Sequence, residues 1–114
     1  MPRNPHLDRF KTPADLLGYE IIQEQASALG RLGRALEAAL AKLRDFDALH
    51  PPSNAKPAEQ QARPTLVAEA GVALWMLVVQ REACGLRNSR TLMRDYNVPP
   101  EVQDRMGVFP ARRS

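Results

Sequence analysis

Apolar residues recur every seven positions at Ile22, Leu29, Leu36 and Leu43, with Leu32, Ala39 and Phe46 between them and Gln25 the one break in that second series. A heptad stripe of this kind predicts one long helix with a seam for other helices. Leu17 and Leu40 widen the stripe beyond a strict coiled-coil seam, as in a bundle whose helices have more than one neighbour. The boundaries are legible. Thr12 offers a capping hydroxyl, Pro13 suits the first helical position and Asp15 places negative charge in the first turn. Nothing then stops the helix before His50-Pro51-Pro52, so it runs for up to about 36 residues. Gly30 and Gly33, with Ala26, set small residues along one side, which points to close approach by another helix or to a bend or break there.

Residues 50–64 hold four prolines and no apolar cluster and read as a linker. A second helix is expected from Pro64-Thr65 to Cys84, with Arg81 in its last turn and Gly85 as a left-handed cap. Its segment GVALWMLVV is apolar all round, which predicts the centre of the core, with Trp75 buried against Leu36 or Leu40. Two short helices follow: Arg90 to Tyr96, capped by Ser89 and stopped by Asn97, and a turn or two from Pro99-Pro100-Glu101 ending at Gly107. Leu92, Met93, Tyr96, Val98, Val102 and Met106 make these a folded-back apolar flap. Residues 1–11 are expected to be a flexible arm and 108–114 a flexible tail around a single domain, 12–107. No strand-like alternation and no solenoid-period repeat is present. The expected fold is all-α: a long helix, an antiparallel second helix and two short C-terminal helices, in a dimeric arrangement like a four-helix bundle.

The dimer follows from lengths. A helix of 36 residues spans about 54 Å, whereas a compact domain of this size is roughly 35 Å across. A second helix of about 20 residues covers little more than half of it. An antiparallel copy would cover the rest, which places the interface on Ile22, Ala26, Leu29, Gly30, Leu32, Gly33, Leu36 and Leu43. A break at Gly30 to Gly33 would instead fold the long helix into its own hairpin and permit a compact monomer.

The 114 residues, 44% hydrophobic and 25% charged, allow one domain, and a net charge of +3 is too balanced for a dedicated nucleic-acid binder. The N-terminal MPRNPHLDRF has no apolar signal core, and the longest apolar run, Gly71 to Val79, is short for a membrane span, so a cytoplasmic chain with no membrane partner is expected. A single cysteine, Cys84, and two separated histidines, His6 and His50, leave neither a disulfide nor a zinc site to expect. Cys84 at a helix end is expected to be a buried, inert thiol, and no local pattern pairs it with His50 for catalysis. Glu20 and Glu24 share a helix face but lack the Glu-x-x-His partners of a diiron site. No nucleophile, phosphate loop or cofactor fingerprint is present, so neither an enzyme nor a bound cofactor is expected.

Arg81, Arg87, Arg90 and Arg94 form an arginine-rich patch that could meet an anion or a partner, and Leu92 to Met106 imitates the outline of a helix-turn-helix. Its second helix is too short and too poor in cations to serve well in DNA recognition. The expected function is that of a non-enzymatic, oligomerising adaptor or regulator with a protein partner; the alternative is a small nucleic-acid-binding protein that uses the C-terminal arginines.

Two stretches, LGYEIIQEQASALGRLGRALEAAL in the long helix and VVQREACGLRNSRTLMRDYNVPPEVQDRMG across the second helix and the flap, carry a resemblance. They resemble a family of short, all-helical alphaproteobacterial proteins classed as a domain of unknown function. The resemblance covers roughly residues 16–107 without the proline-rich segment. It implies the fold class and a bacterial cytoplasmic setting, and it transfers no site residue.

Overall fold

The computed structural model describes residues 12–51 and 56–107, and among these every regular element is a helix: α1 Pro13–Leu49, α2 Pro57–Ala83, α3 Ser89–Asp95 and α4 Pro100–Asp104. The expected arm at 1–11 and tail at 108–114 lie outside the described residues. α1 starts as its sequence dictates, with Pro13 in the first turn and the Asp15 amide donating to Thr12 Oγ1 at 3.1 Å. It runs unbroken for 37 residues, about 55 Å, through Gly30 and Gly33, so the hairpin alternative is overturned.

α2 begins a full two turns earlier than expected. Pro57 opens it, and the backbone amide of Lys56 donates to Glu59 Oε2 at 3.0 Å, half of a capping box. Pro64 therefore lies inside the helix, where its missing amide and its ring cost up to about 3 kcal/mol. Residues 57–64 are thus helix, not linker. Their polarity is that of a solvated helical segment fastened at its ends, by Glu59 on the Lys56 amide and by Arg63 on Asp47.

The two long helices are antiparallel, because Arg63 near the start of α2 reaches Asp47 near the end of α1. The core lies between their facing sides: Leu36, Leu40 and Leu43 from α1 against Val67, Ala70, Leu74, Leu77 and Val78 from α2. The flap closes one side of this pair with Leu92, Val98 and Val102 buried and Met93, Tyr96 and Met106 partly so. Its turns use the left-handed residues expected, Gly85 at φ 86° and Asn97 at φ 50°. Asn88, not Ser89, caps α3, its Oδ1 accepting from the Thr91 amide at 3.3 Å. At Gly33 the flap touches the α1 backbone itself: a Cβ there would stand 2.6 Å from Tyr96 Oη. The close approach expected at Gly33 is therefore made by Tyr96 of the same chain.

Trp75 is not the centre of the core. It is 37% exposed, with its indole against Gly107, while Leu74 beside it is fully buried. A helix that is apolar all round does not reveal which side faces inward, and here the inner side is that of Leu74, Ala70 and Leu77. Cys84 is half-buried, with Gln80 Nε2 3.7 Å from its Sγ, which corrects its placement as a buried thiol.

Candidate association surface

α2 ends at Ala83, and with its start fixed at the far end of α1 it runs back along only part of that helix. The heptad stripe nevertheless continues towards the N-terminus. Leu17, Ile21 and Ile22, which extend it, are 57%, 52% and 64% exposed, and Leu16 is exposed too. This stub, residues 13–28, is about 24 Å of amphipathic helix whose Leu16, Leu17, Ile21 and Ile22 are exposed.

Of the eight residues expected at a dimer interface, the structure divides the set. Leu36, Leu43 and Gly33 are enclosed by the chain's own α2 and flap and have no surface left for a partner. Leu29, Leu32 and Gly30 are half-buried, and Ile22 and Ala26 are exposed. A free apolar stripe thus begins where α2 stops.

A second apolar surface lies on α2 itself. Trp75, Met76 and Val79 are exposed, Val72 is half-buried, and Leu86 stands exposed just beyond the helix end. At 100° per residue these α2 residues fall on the side away from Leu74 and Ala70, so α2 is a helix with two apolar faces, one packed on α1 and one largely exposed. By length and composition α2 would also pass for a membrane span, with mean hydropathy 1.4 over 18 residues of which a third are buried. The run Gly71 to Val79 was too narrow a gauge of that property.

Arg81 stands on the last turn of α2, Arg87 in the connection and Arg90 and Arg94 on α3, and none of them pairs with Glu82 or Asp104. Arg87, Arg90 and Arg94 are exposed, Arg81 is half-buried, and Arg94 Nε lies 3.9 Å from Asp95 Oδ1. α3 and α4, seven and five residues long, frame no recognition helix. His50 caps α1 with its ring stacked on Phe46 at 4.3 Å and Nε2 3.6 Å from Glu59 Oε1, whereas Cys84 lies at the other end of α2, more than about 30 Å away. Glu20 and Glu24 are exposed on the stub, Glu24 Oε1 lying 3.5 Å from Arg31 Nη2. No group of three potential metal ligands occurs among the described residues.

One cluster was missed altogether. Arg63 donates through Nε and Nη2 to both oxygens of Asp47, at 2.7 and 3.0 Å, and through Nη1 and Nη2 to both oxygens of Glu101, at 2.7 and 2.6 Å. Its planar fork fits this double bidentate geometry. Hydrogen bonding to Arg63 holds both carboxyls below their ordinary values of 3.8 and 4.5, and the two carboxylates raise the arginine in turn. The cluster ties the end of α1, the start of α2 and α4 together, and it borders an open groove of about 860 Å³ along α1, lined by Arg34, Glu37, Arg44, Asp95 and Tyr96 among others. The groove's charges are mixed and solvated and converge on no ligand. Sequence offered no signal for the cluster, because its three members are separated by 16 and 38 residues.

No curated protein and no solved structure matches the chain. A family model does, over residues 7–114, and the chain belongs to that family, the family of unknown function DUF6665.

Proposed function

We propose that this chain is a non-enzymatic helical protein that works by association: it forms a homodimer, and the assembled helices serve a protein partner in the manner of an adaptor or regulator. The observation that carries this reading is the stub of α1, whose stripe of Leu17, Ile21 and Ile22 continues the seam that seats α2 and yet lies bare. Exposing such a stripe in water is unfavourable by roughly 25 cal/mol for each Å². Contiguous apolar surface of this kind, rimmed by polar residues, marks association sites. The nucleic-acid alternative has the exposed Arg87, Arg90 and Arg94 in its favour, but the C-terminal helices beside them, seven and five residues long, are too short to serve as a recognition helix.

Sedimentation equilibrium at micromolar concentration tests the reading. A mass of about 25 kDa, twice the 12.7 kDa chain, is expected for the wild type, and the single-chain mass for the exposed-site variant Leu17→Asp with Ile22→Asp. A wild type at 12.7 kDa throughout would overturn it.

A further inference from the structure

Two largely exposed apolar faces sit on one chain, and they match. The stub is about 24 Å long, and the outer face of α2, from Ala68 to Ala83, is equally about 24 Å. Their surroundings lean to opposite signs: residues 13–30 contain Asp15, Glu20 and Glu24, the last shared with Arg31, and no Lys or Arg, while the end of α2 and the start of the flap carry Arg81, Arg87, Arg90 and Arg94 against Glu82 and Asp95, with Glu69 farther back on α2.

Resting on the dimer reading above, we propose that the occupant of each face is the other face of a second copy, so that α2 of each chain is held between its own α1 and the stub of the partner's α1. A two-fold axis near residue 28 makes the arrangement reciprocal: the long helices run antiparallel on the outside, and the two α2 helices lie end to end between them, with Leu86 near the junction. The same stripe of α1 then serves its whole length, Leu36 and Leu43 on the chain's own α2 and Leu17 and Ile21 on the partner's. This also explains why GVALWMLVV is apolar all round.

Area separates this arrangement from simpler ones. Each stub-on-α2 contact, about 24 Å by 10 Å on both sides, contributes roughly 500 Å², so two reciprocal contacts reach about 1,000 Å², the threshold of a specific interface. Pairing the stubs with each other gives one such contact, within the range of adventitious packing, and leaves Met76 and Val79 exposed. The arginines acquire a role as well: the anion they face is the acidic stub of the second copy.

The test uses the full chain and two exposed-site variants, Ile21→Asp on the stub and Met76→Asp on the outer face of α2, each checked for unchanged helical circular dichroism. Both are expected to weaken the dimer at least tenfold in sedimentation equilibrium. Mixed one to one they form a heterodimer in which one stub and one outer face are intact and opposed, so the mixture should associate at least tenfold more tightly than either variant alone. A dimer sensitive to Ile21→Asp alone means stub-to-stub pairing, and one sensitive to Met76→Asp alone means pairing through α2; in either case, or if mixing restores nothing, self-association stands and the reciprocal interface is overturned. A monomeric wild type, including one that instead binds phospholipid vesicles or another protein, overturns both.

Discussion

Gly30 and Gly33 lie one turn apart in the same helix, and alanine is expected to act in opposite directions at the two. In a helix interior alanine is favoured over glycine by about 1 kcal/mol. At Gly30 a new Cβ meets only Arg34 Nη1, at 3.3 Å, the end of a flexible exposed side chain that can swing away, so Gly30→Ala should stabilise by up to about 1 kcal/mol. At Gly33 the Cβ would stand 2.6 Å from Tyr96 Oη. Tyr96 cannot simply retreat, since it terminates α3 with its amide bonded to Leu92 O and is followed by the left-handed Asn97. Overpacking of this sort costs about 1–3 kcal/mol, so Gly33→Ala should fall about 1–3 kcal/mol below Gly30→Ala. The next atom, Tyr96 Cζ, is at 3.7 Å, an ordinary contact, so adding Tyr96→Phe to Gly33→Ala should recover most of the alanine gain. Urea unfolding followed by circular dichroism at one fixed chain concentration measures all three variants. If Gly33→Ala stabilised as much as Gly30→Ala, Tyr96 would not be seated on α1 at that point and the placement of the flap would be wrong.

Two further outcomes follow from the packing. Arg63→Gln leaves Asp47 and Glu101 facing each other; because both carboxylates are more than a third exposed, solvent screening holds the loss to about 1 kcal/mol near pH 7. Both carboxyls are lowered in the folded state, so their contribution is complete above about pH 5 and lost as pH falls through their folded values; acid titration of stability should drop more for wild type than for Arg63→Gln, and equal slopes would refute the cluster. Leu74→Ala, in a fully buried site, should destabilise by about 2–5 kcal/mol, whereas Trp75→Ala next to it should cost clearly less in a chain kept monomeric by Ile21→Asp; the reverse order in thermal unfolding would return Trp75 to the core.

The parts of the fold that depend on neighbours in sequence were legible. Thr12, through its hydroxyl on the Asp15 amide, and Pro13, Gly85 and Asn97, through their own backbone, act within a few residues of sequence, and their turns stand where expected. The heptad stripe gave the seam but not what fills it, since Leu36 and Ile22 belong to one pattern yet are 0% and 64% exposed. What separates them is where α2 ends, a tertiary fact. Pro57 and Pro64 are equally good helix starters, and the choice between them is made by Glu59 on the Lys56 amide and by Arg63, whose partners lie far away in the chain. Trp75 failed for a related reason: nine apolar residues in a row carry no direction, and the inner side of α2 was selected by the small Ala70 and Gly71, which admit α1 and the flap.

In the proposed dimer, residues 13–28 form a helix covered by a second copy. Amide hydrogen exchange of that segment, recorded from nanomolar to high micromolar chain concentration, tests it most directly, because exchange reports the cost of local opening. Fast exchange is expected at high dilution, with protection that rises with concentration in step with association, while the amides around Leu36 and Leu74 stay protected throughout. Protection that does not change with concentration, whether uniformly low or uniformly high, would contradict it.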